Sequence, residues 1–279
     1  MHQLKQIMGR ALFLALAGVA FACGSPAPAP PAKETAAPKP ITAEERIKWY
    51  QDCWTDFNER KWDAFTKCYG DSATSQQWGY GKTSVTGAAA IVAASQEFSK
   101  SSPDGRGQPQ LILVNGNHLA SFFLLTGTNT GPLVGPDGKE MPATNKPFGL
   151  LFGHSIEVYG ASPKVVKELG VMDGGTFASQ LGLSKAPARP VMQAGAAAPK
   201  IVIAKNDDTE MKNLEAERAQ FAAWNKHDVA AVDTYFADDF VLHDATQPKD
   251  QTKAQNSDTN KGFWKADLSS CVARAKIKI

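Results

Sequence analysis

LILVNGNHLASFFLLT, residues 111–126, is the stretch on which the fold turns. Residues 111–114 and 119–126 are apolar runs of strand length. The Asn115-Gly116 pair between them readily takes the positive φ angles of tight primed turns, so a hairpin is predicted. Toward the C-terminus, further strands are predicted over 150–159 and 165–172, with a short turn or helix at 174–181. Toward the N-terminus the apolar period changes from two to about 3.6. Ile47, Tyr50, Trp54 and Phe57 share one helical face, and Trp62, Phe65 and Tyr69 mark a second helix. Thr86-Gly87 lead into a third helix over 88–98, whose face carries Ile91, Val92, Ser95 and Phe98. Helices followed by long strands with no crossover helix predict an α+β unit, three helices packed on one face of a curved antiparallel sheet.

Residues 186–206 open rich in Ala, Pro and Gly and read as a linker. Beyond it, from 207 to 279, the chain begins again. Phe221, Trp224-Asn225-Lys226-His227-Asp228 and Tyr235-Phe236-Ala237-Asp238 echo Trp54 to Asn58, Trp62 to Phe65, and Tyr69-Gly70-Asp71. This second copy reaches one amphipathic strand, 273–279, where the first copy would start its Asn-Gly hairpin. Half a sheet cannot cover its own helices. The second unit is therefore expected to borrow a partner surface, to stay partly disordered, or to reflect a shortened reading frame.

The first 22 residues have the order of a secretory signal: Lys5 and Arg10, then an apolar run too short to span a bilayer, then small residues at Ala20 and Ala22. Cys23 follows, and the sequence resembles the lipobox of bacterial lipoproteins, with Ala20 where Leu is usual. Cys23 is read as the acylated first residue of a chain anchored in a bacterial envelope; cleavage nearby with Cys23 free is the alternative. Residues 23–42, rich in Pro and Ala, are the tether. A net charge of +2 without a basic stripe argues against nucleic acid as a partner. In an oxidising compartment Cys53 and Cys68, placed opposite each other by a helical hairpin, are candidates for a disulfide, the alternative being two buried thiols.

Several marks recur in order. They are Phe57-Asn58, Thr86-Gly87 with Ile91, Phe98 before Pro103-Asp104, TGTNTG at 126–131, PATNKP at 142–147, and Asp173 ahead of Gln180-Leu181-Gly182. Together they resemble the SnoaL-like polyketide cyclases of the nuclear transport factor 2-like superfamily over residues 43–185. Residues 210–279 resemble the first half of a second such unit. The resemblance implies a cone-shaped α+β barrel with a mostly apolar pocket at its mouth. Family enzymes there close a polyketide ester by an intramolecular aldol reaction assisted by a carboxylate, with no metal or cofactor. Asp173 matches the family's acid/base position, and a base in a dry pocket is suited to proton abstraction beside a carbonyl. Asp173 before Gly174-Gly175 also reads as a cap ending a strand, and both readings stand. Asn129, Gln76 and Gln77 occupy places where members often carry histidine.

His154 shares a strand face with Ile156 and Val158, while Glu157 and Tyr159 face the other way. Either His154 or Tyr159 could supply a polarising hydrogen bond to a ligand; a satisfied structural role is the alternative for His154. His118, beside the turn, reads as solvated, and His243 belongs to the incomplete unit. Gly81-Lys82-Thr83 lacks the glycine a phosphate loop needs at position 76. No Cys-x-x-Cys, His-Glu-x-x-His or Gly-x-Ser-x-Gly occurs, so no metal, cofactor or acyl-transfer site is expected. Trp49, Trp54, Trp62 and Phe65 read as core between helices and sheet. Two functions remain. One is an anchored module whose cone binds a small hydrophobic ligand or mediates association, as a homodimer or an intramolecular pseudo-dimer that buries the outer sheet face. The other is a cyclase or isomerase acting on a hydrophobic carbonyl compound with Asp173 as acid/base. The anchor, the tether and the absent histidines favour the module.

Overall fold

The computed structural model describes residues 41–78, 84–135, 138–158, 163–187, 189–244 and 247–265. Cys23, Tyr159, the 81–83 segment and the strand read at 273–279 lie outside them. Helix α1 (Ala43–Asn58) starts where Thr42 and Glu45 form a capping box, each side chain bonding the other's backbone N–H, at 3.1 and 2.7 Å. It ends as Arg60 adopts a left-handed φ of 61°. The Arg60 guanidinium then ties the corner together by donating to the carbonyls of Phe57, Pro103 and Gly105.

Helix α2 (Trp62–Thr66) is shorter than the sequence pattern implied. Tyr69 belongs not to that helix but to strand β1 (Tyr69–Trp78), which periodicity missed because YGDSATSQQW has almost no apolar alternation. After β2 (Val85–Thr86) come α3 (Ala88–Ser101), β3 (Arg106–Asn115) and β4 (His118–Thr128). The hairpin is present, shifted by one residue. Asn115 pairs with His118, so the two loop residues are Gly116 and Asn117, and the positive φ of 52° falls on Gly116. A turn with glycine first is the II′ pattern rather than the Asn-Gly one. Then follow β5 (Leu133–Val134), β6 (Glu140–Met141), β7 (Pro147–Val158), β8 (Val165–Met172) and α4 (Gly174–Gln180).

The span read as a linker, 186–206, is not wholly loose, since residues 192, 195 and 200–204 are bonded to the sheet. Met192 N–H donates to the Gly149 carbonyl at 2.9 Å, and Gln108 Nε2 to the Gly195 carbonyl at 2.6 Å. A side chain at Gly149 would strike Met192, so this strap crosses the outer sheet face there. It leads into β9 (Lys200–Ile203), which pairs parallel with β3. The sequence of β9, KIVI, is β-branched and satisfies its backbone on β3, which is why it does not stay loose. The seven-stranded order is β2-β1-β8-β7-β4-β3-β9. The sheet is antiparallel except that β1 pairs parallel with β8 and β9 parallel with β3, two parallel joins that the expectation of an antiparallel sheet lacked. Helices α1 and α3 pack on its concave face to make the cone, with Trp54 and Phe98 contributing to both hydrophobic clusters.

Over the described residues the second copy repeats the first as far as α3: α5 (Asp208–Asn225), α6 (Val229–Asp233), the β10 (Val241–Leu242) and β11 (Gln251–Thr252) pair, and α7 (Lys253–Lys265). Even the left-handed residue recurs, with His227 at φ 59° playing the part of Arg60. Among the described residues this unit has only the two-stranded β10–β11 sheet; α5 has no buried residue, and Phe221 stands 59% exposed. Nor does this unit cover the outer face of the first sheet, where Phe122, Leu151 and Val171 remain exposed.

Candidate functional site

Between the concave sheet face and helices α1 and α3 lies a cavity of about 790 Å³. Its wall is mostly apolar: Trp49 and Trp54 from α1, Ile91 and Phe98 from α3, Phe123 and Phe152 from the sheet, and Phe177 from α4. Trp49, Trp54 and Phe65, expected as core alone, therefore both pack and line the cavity.

Strand register gathers the polar groups into one cluster. On the concave face one row runs Ser121, His154, Gly170, Gln77, and the next runs Leu119, Ile156, Glu168, Ser75. His154 and Glu168 are thus diagonal neighbours, near enough for long side chains to meet. Gly170 opposite His154 leaves the room, since a side chain there would strike Gln77 and the Phe152 ring. His154 Nε2 lies 3.2 Å from Glu168 Oε2, with both side chains nearly buried. Tyr69 donates its hydroxyl to Oε2 at 3.0 Å; Ser75 Oγ and Gln77 Nε2 donate to Oε1 at 2.6 and 2.9 Å. His154 Nδ1 lies 3.3 Å from the Tyr50 hydroxyl, which also bonds Ser121 Oγ.

The electrostatics follow from burial and partners. Burial, the largest single influence on Glu168, would raise its carboxyl; the charge and hydrogen bond of His154, with bonds from Ser75 and Tyr69, outweigh it and hold the value below the usual 4.5. Burial also pushes the Tyr50 and Tyr69 phenols well upward, so both remain neutral hydrogen-bonding groups. When the imidazole is neutral, the carboxylate fixes its tautomer: Nε2 carries the proton toward Glu168 and Nδ1 accepts from Tyr50. Glu168, Tyr69 and Ser75 form no motif in sequence. Their one signal was a charged residue on the inward face of β8, shared with Gly170 and Met172, while the strand's other charge, Lys167, is exposed.

Residues 44–181 match the family described as SnoaL-like polyketide cyclase, and residues 218–275 match the SnoaL-like domain. The chain belongs to the SnoaL-like family. No curated protein matches it. Among solved structures, AclR from Streptomyces galilaeus shares 16% identity at a TM-score of 0.44, over 51% of this chain and 99% of its own. TsrD from Streptomyces laurentii shares 14% at 0.44, over 52% and 99%. IdmH from Streptomyces antibioticus shares 19% at 0.42, over 49% and 98%. A SnoaL-like cone with such a cavity supports a ligand-binding or cyclase-type role.

Within this SnoaL-like frame the sequence candidates separate. His154 lines the cavity and has partners on both ring nitrogens. Asp173 is not among the described lining residues. Its carboxylate oxygens accept from Gly175 N–H at 3.0 Å and Thr176 N–H at 3.1 Å, capping α4. Of its two readings, the cap is the one the geometry displays, and the buried carboxylate that lines the cavity is Glu168. Asn129, in the Thr-Gly-Thr-Asn segment, is buried away from the cavity; it donates to the Ser101 and Gly131 carbonyls and accepts from Thr144 N–H. His118 is exposed, and His243 pairs with Asp250 at 2.8 Å. Cys53 and Cys68 form a disulfide, their Cα atoms 6.1 Å apart, and both line the cavity. Among the described residues no group of three or more His, Cys, Asp or Glu could hold a metal ion, and no helix is long and apolar enough to cross a membrane.

Proposed function

We propose that the protein is an exported, lipid-anchored module whose cone takes up a small hydrophobic ligand bearing one hydrogen-bonding group. The observation that carries this reading is the cavity itself: an apolar, largely aromatic wall into which the buried Tyr50–His154–Glu168 cluster is set. A ligand's apolar body gains from burial, and its polar group finds partners whose positions are already fixed. The test is thermal stabilisation of the full chain by steroids, polycyclic ketones and fatty acids. A compound at a hundredfold excess over its dissociation constant adds about 2.7 kcal/mol of stability. The shift should be unchanged in Asp173→Asn, which keeps a good capping side chain, and reduced in His154→Gln. No shift from any compound would sink the ligand-binding reading.

Anchoring rests on the signal-like residues 1–22 and the lipobox-like approach to Cys23. In a bacterial host, Cys23→Ser should move the protein from the membrane fraction to the soluble one. Equal membrane retention of both forms would remove Cys23 from the account.

A second reading, a cyclase or isomerase acting on a hydrophobic carbonyl compound, is favoured by one feature. His154 is braced by an ionised Glu168, which would suit it to move a proton beside a carbonyl in this mostly apolar cavity. In that reading His154, not Asp173, carries the chemistry. Turnover of a model ketone abolished by His154→Gln and untouched by Asp173→Asn is the expected signature.

A further inference from the structure

We propose that the cavity selects lipophilic cations, amines and quaternary ammonium compounds, over anions of the same shape; this rests on the ligand-binding reading of the cavity. The juxtaposition behind it is a buried carboxylate set into an aromatic wall that offers no lysine or arginine among its described residues. Among the described lining residues two are acidic, Glu97 and Glu168. Glu97 is paired with Lys100 at 2.6 Å and is 60% exposed, so water and salt screen it. Glu168 is different, because it is buried and its charge is held inside the cone.

Three of its four donors, Tyr69, Ser75 and Gln77, are neutral; they satisfy the carboxylate oxygens without cancelling the charge. The fourth, His154, brings the cluster to zero when protonated and leaves it at minus one when neutral. In neither state is the cluster positive. An anionic ligand would therefore lose its hydration without gaining a cationic partner there. A cationic ligand meets attraction from two sources of the same sign. One is the Glu168 charge, weakly screened in this enclosed space. The other is the aromatic lining of Trp54, Phe98, Phe123 and Phe152, since the face of an aromatic ring carries negative potential.

Three probes share one rigid shape and differ in charge: N,N,N-trimethyl-1-adamantylammonium, 1-adamantyl methyl ketone and 1-adamantanecarboxylate. Titration calorimetry on the full chain is expected to rank them in that order, the cation at least about tenfold tighter than the carboxylate. Glu168→Gln should narrow that ratio to within about threefold. Should this variant fail to fold, the ranking by the unaltered protein decides alone. Ketone binding with the cation no tighter than the carboxylate overturns the charge preference and leaves the apolar pocket standing, as does a ratio that survives Glu168→Gln. Failure of all three probes to bind overturns both the preference and the reading on which it rests.

Discussion

Glu168→Ala is expected to lower the free energy of unfolding by about 3–5 kcal/mol, the usual cost of removing one partner from a buried charged pair. The substitution strands donors rather than merely deleting a charge. His154 Nε2, the Tyr69 hydroxyl and the Ser75 hydroxyl all lose their acceptor, and Gln77 keeps only Ser75. Each unsatisfied buried polar group costs about 1–3 kcal/mol, and water entering the cavity can rescue some of them, which favours the lower end. Urea denaturation at neutral pH measures the loss; a change under about 1 kcal/mol would show the cluster to be solvated rather than structural.

The same residue sets a pH dependence whose sign is fixed. The folded-state carboxyl lies below its ordinary value of 4.5. The unfolded chain therefore binds its proton first as the pH falls. The contribution of Glu168 to stability is complete above that ordinary value and disappears as the pH drops through the lowered folded value. Glu168→Gln should be flatter than the unaltered protein across this acidic window. Two parallel curves would mean that Glu168 is not held ionised by its partners.

Breaking the Cys53–Cys68 bridge is the second large effect. The crosslink closes a loop of 15 residues, for which chain entropy in the unfolded state predicts about 3 kcal/mol of stabilisation. Cys53→Ala with Cys68→Ala should lose about that amount. Dithiothreitol should take the same stability from the unaltered protein and none from the double variant. Since both cysteines line the cavity, ligand-induced stabilisation should fall in the double variant as well. Equal stability of oxidised and reduced protein would show that packing of α1 against α2 and β1 suffices without the crosslink.

Much of this arrangement was readable, and the parts that were not have physical reasons. Helices α1 and α3, the β3–β4 hairpin, β7 and β8 follow from apolar period, because each buries one face and exposes the other. Strand β1 escaped because its inward face carries Ala73, Ser75 and Gln77, whose burial is set by the cavity and by Glu168 rather than by their own hydrophobicity. Strand β9 has a strong β-branched signal, but only the long-range partner β3 makes it a strand rather than part of a linker. Asp173 was legible as a cap and as an acid/base, and sequence alone could not choose between them. What separates Asp173 from Glu168 is position: Glu168 sits mid-strand in β8 against the cavity, whereas Asp173 follows the strand and caps α4. Glu168, six places before the Gly174-Gly175 pair, gains its meaning only from the histidine on the neighbouring strand.

The strap across Gly149 and the strand it leads to also govern how this chain could be taken apart. A cut placed at residue 185, where composition invites it, would remove β9 and leave β3 with a bare row of hydrogen-bonding groups along Leu111–Val114, in one of the most apolar segments of the protein. Such a surface recruits other strands, including copies of itself. The isolated first unit would then fold and still be prone to aggregate. The insoluble product would be mistaken for a misfolded domain when its only defect is a missing neighbour; keeping residues through 206 avoids it.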